Sequence, residues 1–134
     1  MGKIESAIRV ARNYYDDKTY YHAIRVAAYA AESNLIPDNK LQDSVILAIL
    51  HDLLEDTEFD DAGMFGYYME DCLGIITKKE ATYEDYLRKI KENYMNYPEA
   101  YWVKLADIKD HLCQTETLTN ELKEKYLKAL PCLL

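Results

Sequence analysis

Glycine and proline are scarce in this chain of 134 residues, in which they occur four and three times. So few helix breakers exclude a fold with many tight turns and favour long helices. Apolar runs are short as well, and none approaches the length of a membrane span. The N-terminus lacks the apolar stretch of a signal peptide, because the charged residues Lys3 and Glu5 come at once. We therefore expect no membrane partner.

Cysteine and basic residues are also few. The three cysteines, Cys72, Cys113 and Cys132, lack C-x-x-C spacing, which favours reduced thiols in a cytoplasmic protein over a disulfide framework or a zinc knuckle. The 16 Lys and Arg are outnumbered by 24 Asp and Glu, giving a net charge of −8. Nucleic acid is not an expected partner, since its phosphate backbone requires a basic face. A small anionic substrate is compatible if metal ions and a few local cations offset the field.

The apolar residues that are present, 49% of the chain, recur at helical spacing almost throughout. The length fits one domain over residues 1–134 with a single core, and no repeat or linker divides it. The segment 39–55 is apolar nearly all round and is predicted to be the central, buried helix. The fold class is predicted to be all-α, a compact bundle of about six to seven helices over residues 3–15, 19–33, 39–55, 61–73, 83–95, 98–113 and 117–130.

Individual residues predict where several of these helices begin and end. Asp38 is the predicted N-cap of the third helix, and Thr82 begins a capping-box pattern before the fifth. Pro98 suits the first turn of the sixth helix. Gly74 is expected to close the fourth helix, and Pro131 to lie just beyond the end of the seventh.

Polar residues close the third predicted helix, in the order His51-Asp52-Leu53-Leu54-Glu55-Asp56. Acidic residues at a helix C-terminus oppose the macrodipole, which favours cations there. An acid-rich helix end near the core is costly unless a positive charge pairs with it. A divalent metal would supply that charge, and a solvated helix end with an ordinary histidine is the alternative.

Two other segments carry polar residues in apolar surroundings. Asp107, in Lys104-Leu105-Ala106-Asp107, has apolar neighbours on both sides, so its carboxylate either faces water or is paired. His22 opens the second predicted helix, just after two tyrosines. Taken alone, each of the two fits an ordinary polar position on an amphipathic helix.

Taken in order, these segments resemble the ligand pattern of the HD superfamily: a histidine, a His-Asp doublet and a distant aspartate, each on a separate helix. The stretch His51–Thr57 is similar to the H-D-x-x-E-D-T motif of RelA/SpoT-type guanosine polyphosphate pyrophosphohydrolases, and Lys104–Asp107 to their K-L-A-D segment. Phe65-Gly66 and Ile75-Ile76-Thr77 resemble that family's F-G and V-T landmarks. The order and rough spacing agree over about residues 7–112.

The resemblance implies a stand-alone HD-type domain that hydrolyses a phosphate or pyrophosphate ester of a nucleotide. It implies a metal site formed by His22, His51, Asp52 and Asp107. Two imidazoles and two carboxylates suit Mn²⁺ best, and would also bind Fe²⁺, Co²⁺ or Zn²⁺. Water activated at the metal is the expected nucleophile.

The resemblance also implies roles for residues around the metal. Glu55 and Asp56, one turn beyond the doublet, would orient or deprotonate the attacking water. Arg25 and Lys104 are candidates for binding substrate phosphates, with a solvated or salt-bridged position as the alternative. His111, one turn after the distant aspartate, would support that ligand or touch substrate, and an ordinary core or surface histidine is the alternative.

Two segments differ from the family pattern. Residues 12–21 lack the family's glycine and are acidic at Asp16-Asp17, and Asp110-His111 stand where the family has His-Asn. The substrate is therefore left open between a guanosine polyphosphate, (p)ppGpp, and another nucleotide, as for an HD nucleotidase. A catalytically silent HD module that binds a nucleotide or a partner protein is the alternative to an enzyme, and a plain helical interaction protein is a third. The oligomeric state is left open.

Overall fold

The computed structural model describes residues 2–134, which fold into helices joined by short turns, with no strand in that range. Seven of the α-helices have ten or more residues, and α4 is a single turn. This confirms the expected all-α class. The elements are α1 Lys3–Tyr14, α2 Asp17–Glu32, α3 Asp38–Leu50, α4 Leu53–Asp56, the 3₁₀ helix η1 Ala62–Phe65, α5 Tyr67–Ile76, α6 Tyr83–Glu92, α7 Pro98–Cys113 and α8 Asn120–Leu133.

The core is organised around α3, as its nearly continuous apolar sequence predicts. Helices α1, α2, α5 and α7 all pack against it. Its second half is buried on every side, from Ile46 to Leu50. The face that α2 turns towards it is rich in small residues, including Ala23 and Ala30, which allow a close approach of the two helices. Within the described part of the chain, no helix is both long and apolar enough to cross a membrane.

The third predicted helix, 39–55, is interrupted in the structure. Helix α3 ends at Leu50 and α4 begins only at Leu53. At the junction the His51 ring donates a hydrogen bond from Nδ1 to the Ala48 carbonyl oxygen, at 2.6 Å. Asp52 takes φ −95° and ψ 1°, outside the helical region. A side chain that bonds to a carbonyl of the preceding turn is a recognised cause of such a break.

The fourth predicted helix, 61–73, is wrong as a single element. It consists of η1 and α5, which are separated at Gly66 with φ 95°, a backbone region that favours glycine. Gly74 lies inside α5, and the helix continues to Ile76 because its last turn buries Ile75 and Ile76 against the core. The expected closure at Gly74 is therefore wrong.

Two predicted helix ends are wrong and two are confirmed. Asp38 is the first residue of α3 and not its N-cap, a position that Pro37 occupies. Helix α8 continues through Pro131, since the buried side chain of Leu133 holds its final turn in place. Thr82 caps α6 by accepting a hydrogen bond from the Asp85 N–H, and α7 begins at Pro98.

Candidate metal centre

Three helices bring the predicted ligand side chains to one buried point. His22 Nε2, on α2, lies 2.8 Å from Asp107 Oδ1 on α7, and His51 Nε2, at the end of α3, lies 3.3 Å from the same oxygen. One donor atom from each of these three residues lies within 4.8 Å of the others. Asp52 Oδ2 is 3.3 Å from His51 Nε2 and 3.7 Å from His22 Nε2. The buried group His22, His51 and Asp107 can hold a metal ion, with the Asp52 carboxylate beside it.

The outer nitrogen of each histidine ring is held by an acceptor. His51 Nδ1 bonds to the Ala48 carbonyl, and because a carbonyl only accepts, Nδ1 carries the proton. His22 Nδ1 lies 2.6 Å from Asp110 Oδ2. Asp110 is itself held by Arg25, through Nε at 2.8 Å and Nη2 at 3.1 Å. Metal-binding histidines use their second nitrogen in this way, which orients the ring and leaves Nε2 as the ligand atom.

The electrostatics of the centre keep Asp107 ionised. Although burial favours the neutral acid, the Lys104 ammonium and the three surrounding imidazoles hold the pKa of Asp107 well below its usual range. Lys104 is also buried, with Nζ 2.8 Å from Asp107 Oδ2. One carboxylate oxygen is thus neutralised by a lysine, and the other faces the histidine nitrogens.

A tyrosine from the end of α1 holds the break between α3 and α4 in place. The buried Tyr15 hydroxyl donates to the Ile49 carbonyl at 2.9 Å, within the turn that precedes the break. Burial and the nearby Asp52 carboxylate raise the pKa of Tyr15, so the hydroxyl stays protonated. A backbone carbonyl freed by the interruption is thus satisfied by a side chain, next to the His51-Asp52 doublet.

We expect Tyr15→Phe to lower the free energy of unfolding by about 1–3 kcal/mol, because it leaves the Ile49 carbonyl unpaired at a buried position. Metal affinity should fall as well, since the Tyr15–Ile49 bond holds the backbone that positions His51 and Asp52. Urea unfolding and metal titration measure the two effects. Tyr14→Phe is the matched control, because the Tyr14 side chain is 48% exposed. Equal stability and affinity in the two variants would contradict the role given to Tyr15.

Two cavities open on either side of the centre. The first, of about 210 Å³, is called the lysine cavity here, because its wall contains three lysines. Three tyrosines and Glu55 complete that wall, together with residues of the centre. The lysines are Lys78, Lys104 and Lys125, and the tyrosines are Tyr83, Tyr86 and Tyr126. The second, of about 260 Å³, is called the acidic cavity and is lined by Asp52, Asp56 and Asp110 with Lys18, Arg25, Gln114 and Thr117. His111 lies in the walls of both.

The remaining predicted site residues lie close to the centre in different settings. Glu55 faces the lysine cavity and Asp56 the acidic cavity, and burial together with the Asp52 charge raises the pKa of both carboxyls. Arg25 is bound to Asp110 and Lys104 to Asp107, so both cations already have a carboxylate partner. His111 Nε2 lies 3.2 Å from Asp107 Oδ1, and its ring stacks on Tyr126 at 4.6 Å.

Sequence reasoning missed several residues of this site. It missed Asp110, and with it the pairing of Arg25, which it assigned to substrate phosphate. Asp110 follows Asp107 by three positions, and Arg25 follows His22 by three, which puts each on the same helix face as its ligand and could have indicated the pairing. No comparable signal indicates Lys78, which lies after α5, or Lys125, which lies on α8. These two come to the centre only through the packing of α6 and α8.

Metal binding at this centre is expected to weaken as the pH falls. Burial disfavours the His51 imidazolium, but the Asp52 and Asp107 carboxylates outweigh it and raise the pKa of His51 to about 9. A metal must displace that proton from Nε2, so its apparent affinity should fall about tenfold for each pH unit below this pKa. Competition with a chromogenic chelator between pH 6.5 and 9.5 measures it, and a constant affinity would contradict it.

The metal-stripped protein should show the opposite dependence. A group whose pKa is raised by folding stabilises the fold fully below its unfolded pKa, about 6.5 for histidine. His51 therefore contributes stability at low pH that is lost as the pH rises through about 9. Thermal unfolding in the presence of chelator checks this sign.

The fold and the centre define a helical protein with a buried His-Asp group that can hold a metal ion. Comparison with protein-family models and with curated proteins found no match. The function therefore has to be inferred from the residues of the centre and the two cavities beside it.

Proposed function

We propose that this protein is an HD-type, metal-dependent phosphohydrolase that cleaves a phosphate or pyrophosphate ester of a nucleotide. The observation that carries the proposal is the buried group of His22, His51 and Asp107, of which His51 and Asp107 line a cavity that also contains three lysines and Glu55. The resemblance of the His51–Thr57 and Lys104–Asp107 segments to RelA/SpoT-type pyrophosphohydrolases supports the same assignment.

The donor set fits a divalent ion with borderline-hard preferences. His22, His51, Asp52 and Asp107 would hold it through imidazole nitrogens and carboxylate oxygens, for which Mn²⁺ is the first choice and Fe²⁺, Co²⁺ or Zn²⁺ are alternatives. When bound, such an ion lowers the pKa of water and polarises a phosphoryl oxygen. The outward hydrogen bonds of both rings fix the Nε2 atoms towards this position without further rearrangement.

Glu55 is the general base in this proposal. Its carboxylate lines the cavity that faces the centre, and burial with the neighbouring Asp52 and Asp56 charges raises its pKa. A raised pKa makes a carboxylate a better proton acceptor at neutral pH. Glu55 takes the proton of the attacking water, and Asp56, across the centre, helps to orient the substrate end that lies in the acidic cavity.

A turnover screen tests the proposal. Purified protein is assayed anaerobically with added Mn²⁺ against guanosine tetraphosphate, common (d)NTPs and NMPs, and bis(4-nitrophenyl) phosphate, with Asp52→Ala as the control. Pyrophosphate release from guanosine tetraphosphate, lost in the control, would support a (p)ppGpp hydrolase. Turnover of another nucleotide would retain the hydrolase and exclude that substrate. If no substrate is turned over while metal is bound, the enzymatic assignment would be overturned in favour of a catalytically silent nucleotide-binding module.

A further inference from the structure

Two lysines of the lysine cavity have no carboxylate partner. In the part of the chain that the structure describes, Lys40, Lys89, Lys104 and Lys128 each form an ion pair with an acidic side chain. Lys78 and Lys125 form none there: Lys78 Nζ donates to the Glu80 carbonyl oxygen, and Lys125 Nζ lies over the Tyr83 ring at 4.5 Å. In a chain with a net charge of −8, unpaired cations that meet at one cavity indicate an anionic ligand.

A hydroxyl in the same wall also lacks an acceptor. Tyr83 Oη is buried and has no hydrogen-bond partner among the described residues. The neighbouring ammonium of Lys104 has only donors, so it cannot accept the hydroxyl proton. A buried donor without an acceptor is destabilising, and an anion in the cavity would accept its hydrogen bond.

The charge on Lys125 is compensated only through space, by the Asp107 and Glu55 carboxylates, with which it forms no ion pair. Partial burial and the proximity of the Lys104 ammonium lower the pKa of Lys125. Lys104 is already neutralised by Asp107, so it would attract a second anion less strongly than an unpaired lysine does. An incoming anion would thus gain most from Lys78 and Lys125.

Each of the two cavities is too small for a whole nucleotide, so different parts of the nucleotide would occupy each. Each is smaller than the roughly 300–1,000 Å³ typical of a whole small-molecule site, so the lysine cavity at about 210 Å³ suits a phosphate or pyrophosphate group alone. The acidic cavity, on the other side of the centre, adds Asp56 and Asp110 to Asp52, which lines both cavities. Its cations are Lys18 and Arg25, and Arg25 is already paired with Asp110, so this cavity is the less favourable of the two for that group. It suits the uncharged sugar and base.

We propose that the lysine cavity is an anion subsite that binds the phosphate or pyrophosphate group of the substrate lying beyond the bond to be cleaved, through Lys78, Lys125 and the Tyr83 hydroxyl. The substrate then lies in one direction only, with its polyanionic end between α6 and α8 and its neutral end in the acidic cavity. This inference rests on the proposed function for the identity of the ligand, but its binding chemistry can be tested separately.

The test is calorimetric titration of the full chain, stripped of metal and at low ionic strength, with inorganic phosphate and pyrophosphate. Saturable binding at one site is expected, tighter for pyrophosphate. Lys125→Met and Lys78→Met should each weaken it about tenfold or more, as expected for the loss of a charge-assisted hydrogen bond. Tyr83→Phe should weaken it to a smaller extent. Lys123→Met and Lys79→Met are matched controls with the same change of charge at neighbouring exposed positions, and should bind as the wild type does.

The outcomes separate this subsite from the hydrolase itself. Absence of saturable binding, or equal binding by Lys125→Met and Lys123→Met, would overturn the subsite. Anion binding that depends on Lys125, in a protein that is silent in the turnover screen, would sustain the subsite and overturn the hydrolase. If a nucleotide is turned over, Lys125→Met should raise KM more than it lowers kcat, and an unchanged KM would overturn the subsite alone.

Discussion

Asp107→Asn is expected to abolish tight metal binding and, with it, any turnover. Asp107 supplies the carboxylate oxygen that both histidine Nε2 atoms face, and an amide is a far weaker ligand for a divalent ion. After dialysis the variant should retain no stoichiometric Mn²⁺, and added Mn²⁺ should no longer raise its Tm. Elemental analysis and thermal scans with and without chelator measure both effects.

A second variant separates loss of the ligand from loss of the fold. Asp107→Asn leaves the Lys104 ammonium buried without its counter-ion, a change that costs about 3–5 kcal/mol in comparable buried pairs. The double variant Asp107→Asn/Lys104→Met removes the charge as well and should recover stability while it still fails to bind metal. Asp61→Asn, at an exposed position between α4 and η1, is the control for the charge change. Stoichiometric metal in either Asp107 variant would contradict the assignment of the centre.

Glu55→Gln should leave metal bound and remove most of the turnover. The carboxylate lines the lysine cavity and is not one of the buried group that can hold the ion, so its loss removes a proton acceptor without removing a ligand. General bases contribute typically about 10²–10⁴-fold to rate, and a fall in kcat of at least about 100-fold is expected.

Glu58→Gln is the matched control for the Glu55 variant, since Glu58 is an exposed glutamate in the loop that follows α4. It should retain both the metal and the wild-type rate. A Glu55→Gln enzyme with full activity would move the role of base to another group, and one that loses its metal would place Glu55 among the ligands.

The sequence predicted the framework of the site better than its surroundings. Helical periodicity is a local property, so the all-α class and the buried position of α3 followed from it. The meeting of His22, His51 and Asp107 could be expected only from the family resemblance, because their positions are up to 85 residues apart and no local pattern joins them. The interruption at His51-Asp52 could not be predicted, since the Tyr15 hydroxyl that pairs the freed Ile49 carbonyl lies 34 positions away in the chain.

The surroundings escaped prediction because they depend on tertiary packing. Lys125 lies on an amphipathic helix among other lysines, and nothing in its neighbours distinguishes it from Lys123. Only the docking of α8 against α6 and α7 brings it over Tyr83. Arg25 was expected to bind phosphate, whereas in the structure its guanidinium is engaged by Asp110, a contact that requires α2 and α7 to lie side by side.

The spread of the ligand residues along the chain has a kinetic consequence. His22 and Asp107 are separated by 85 positions, and His51 and Asp107 by 56, so an unfolded chain does not present them together. An ion held by all three would close large loops, as a removable cross-link does, and α2, α3 and α7 could not separate until it left. Loading would therefore act chiefly on the rate of unfolding, and the lifetime of the native state would be governed by the escape of the ion.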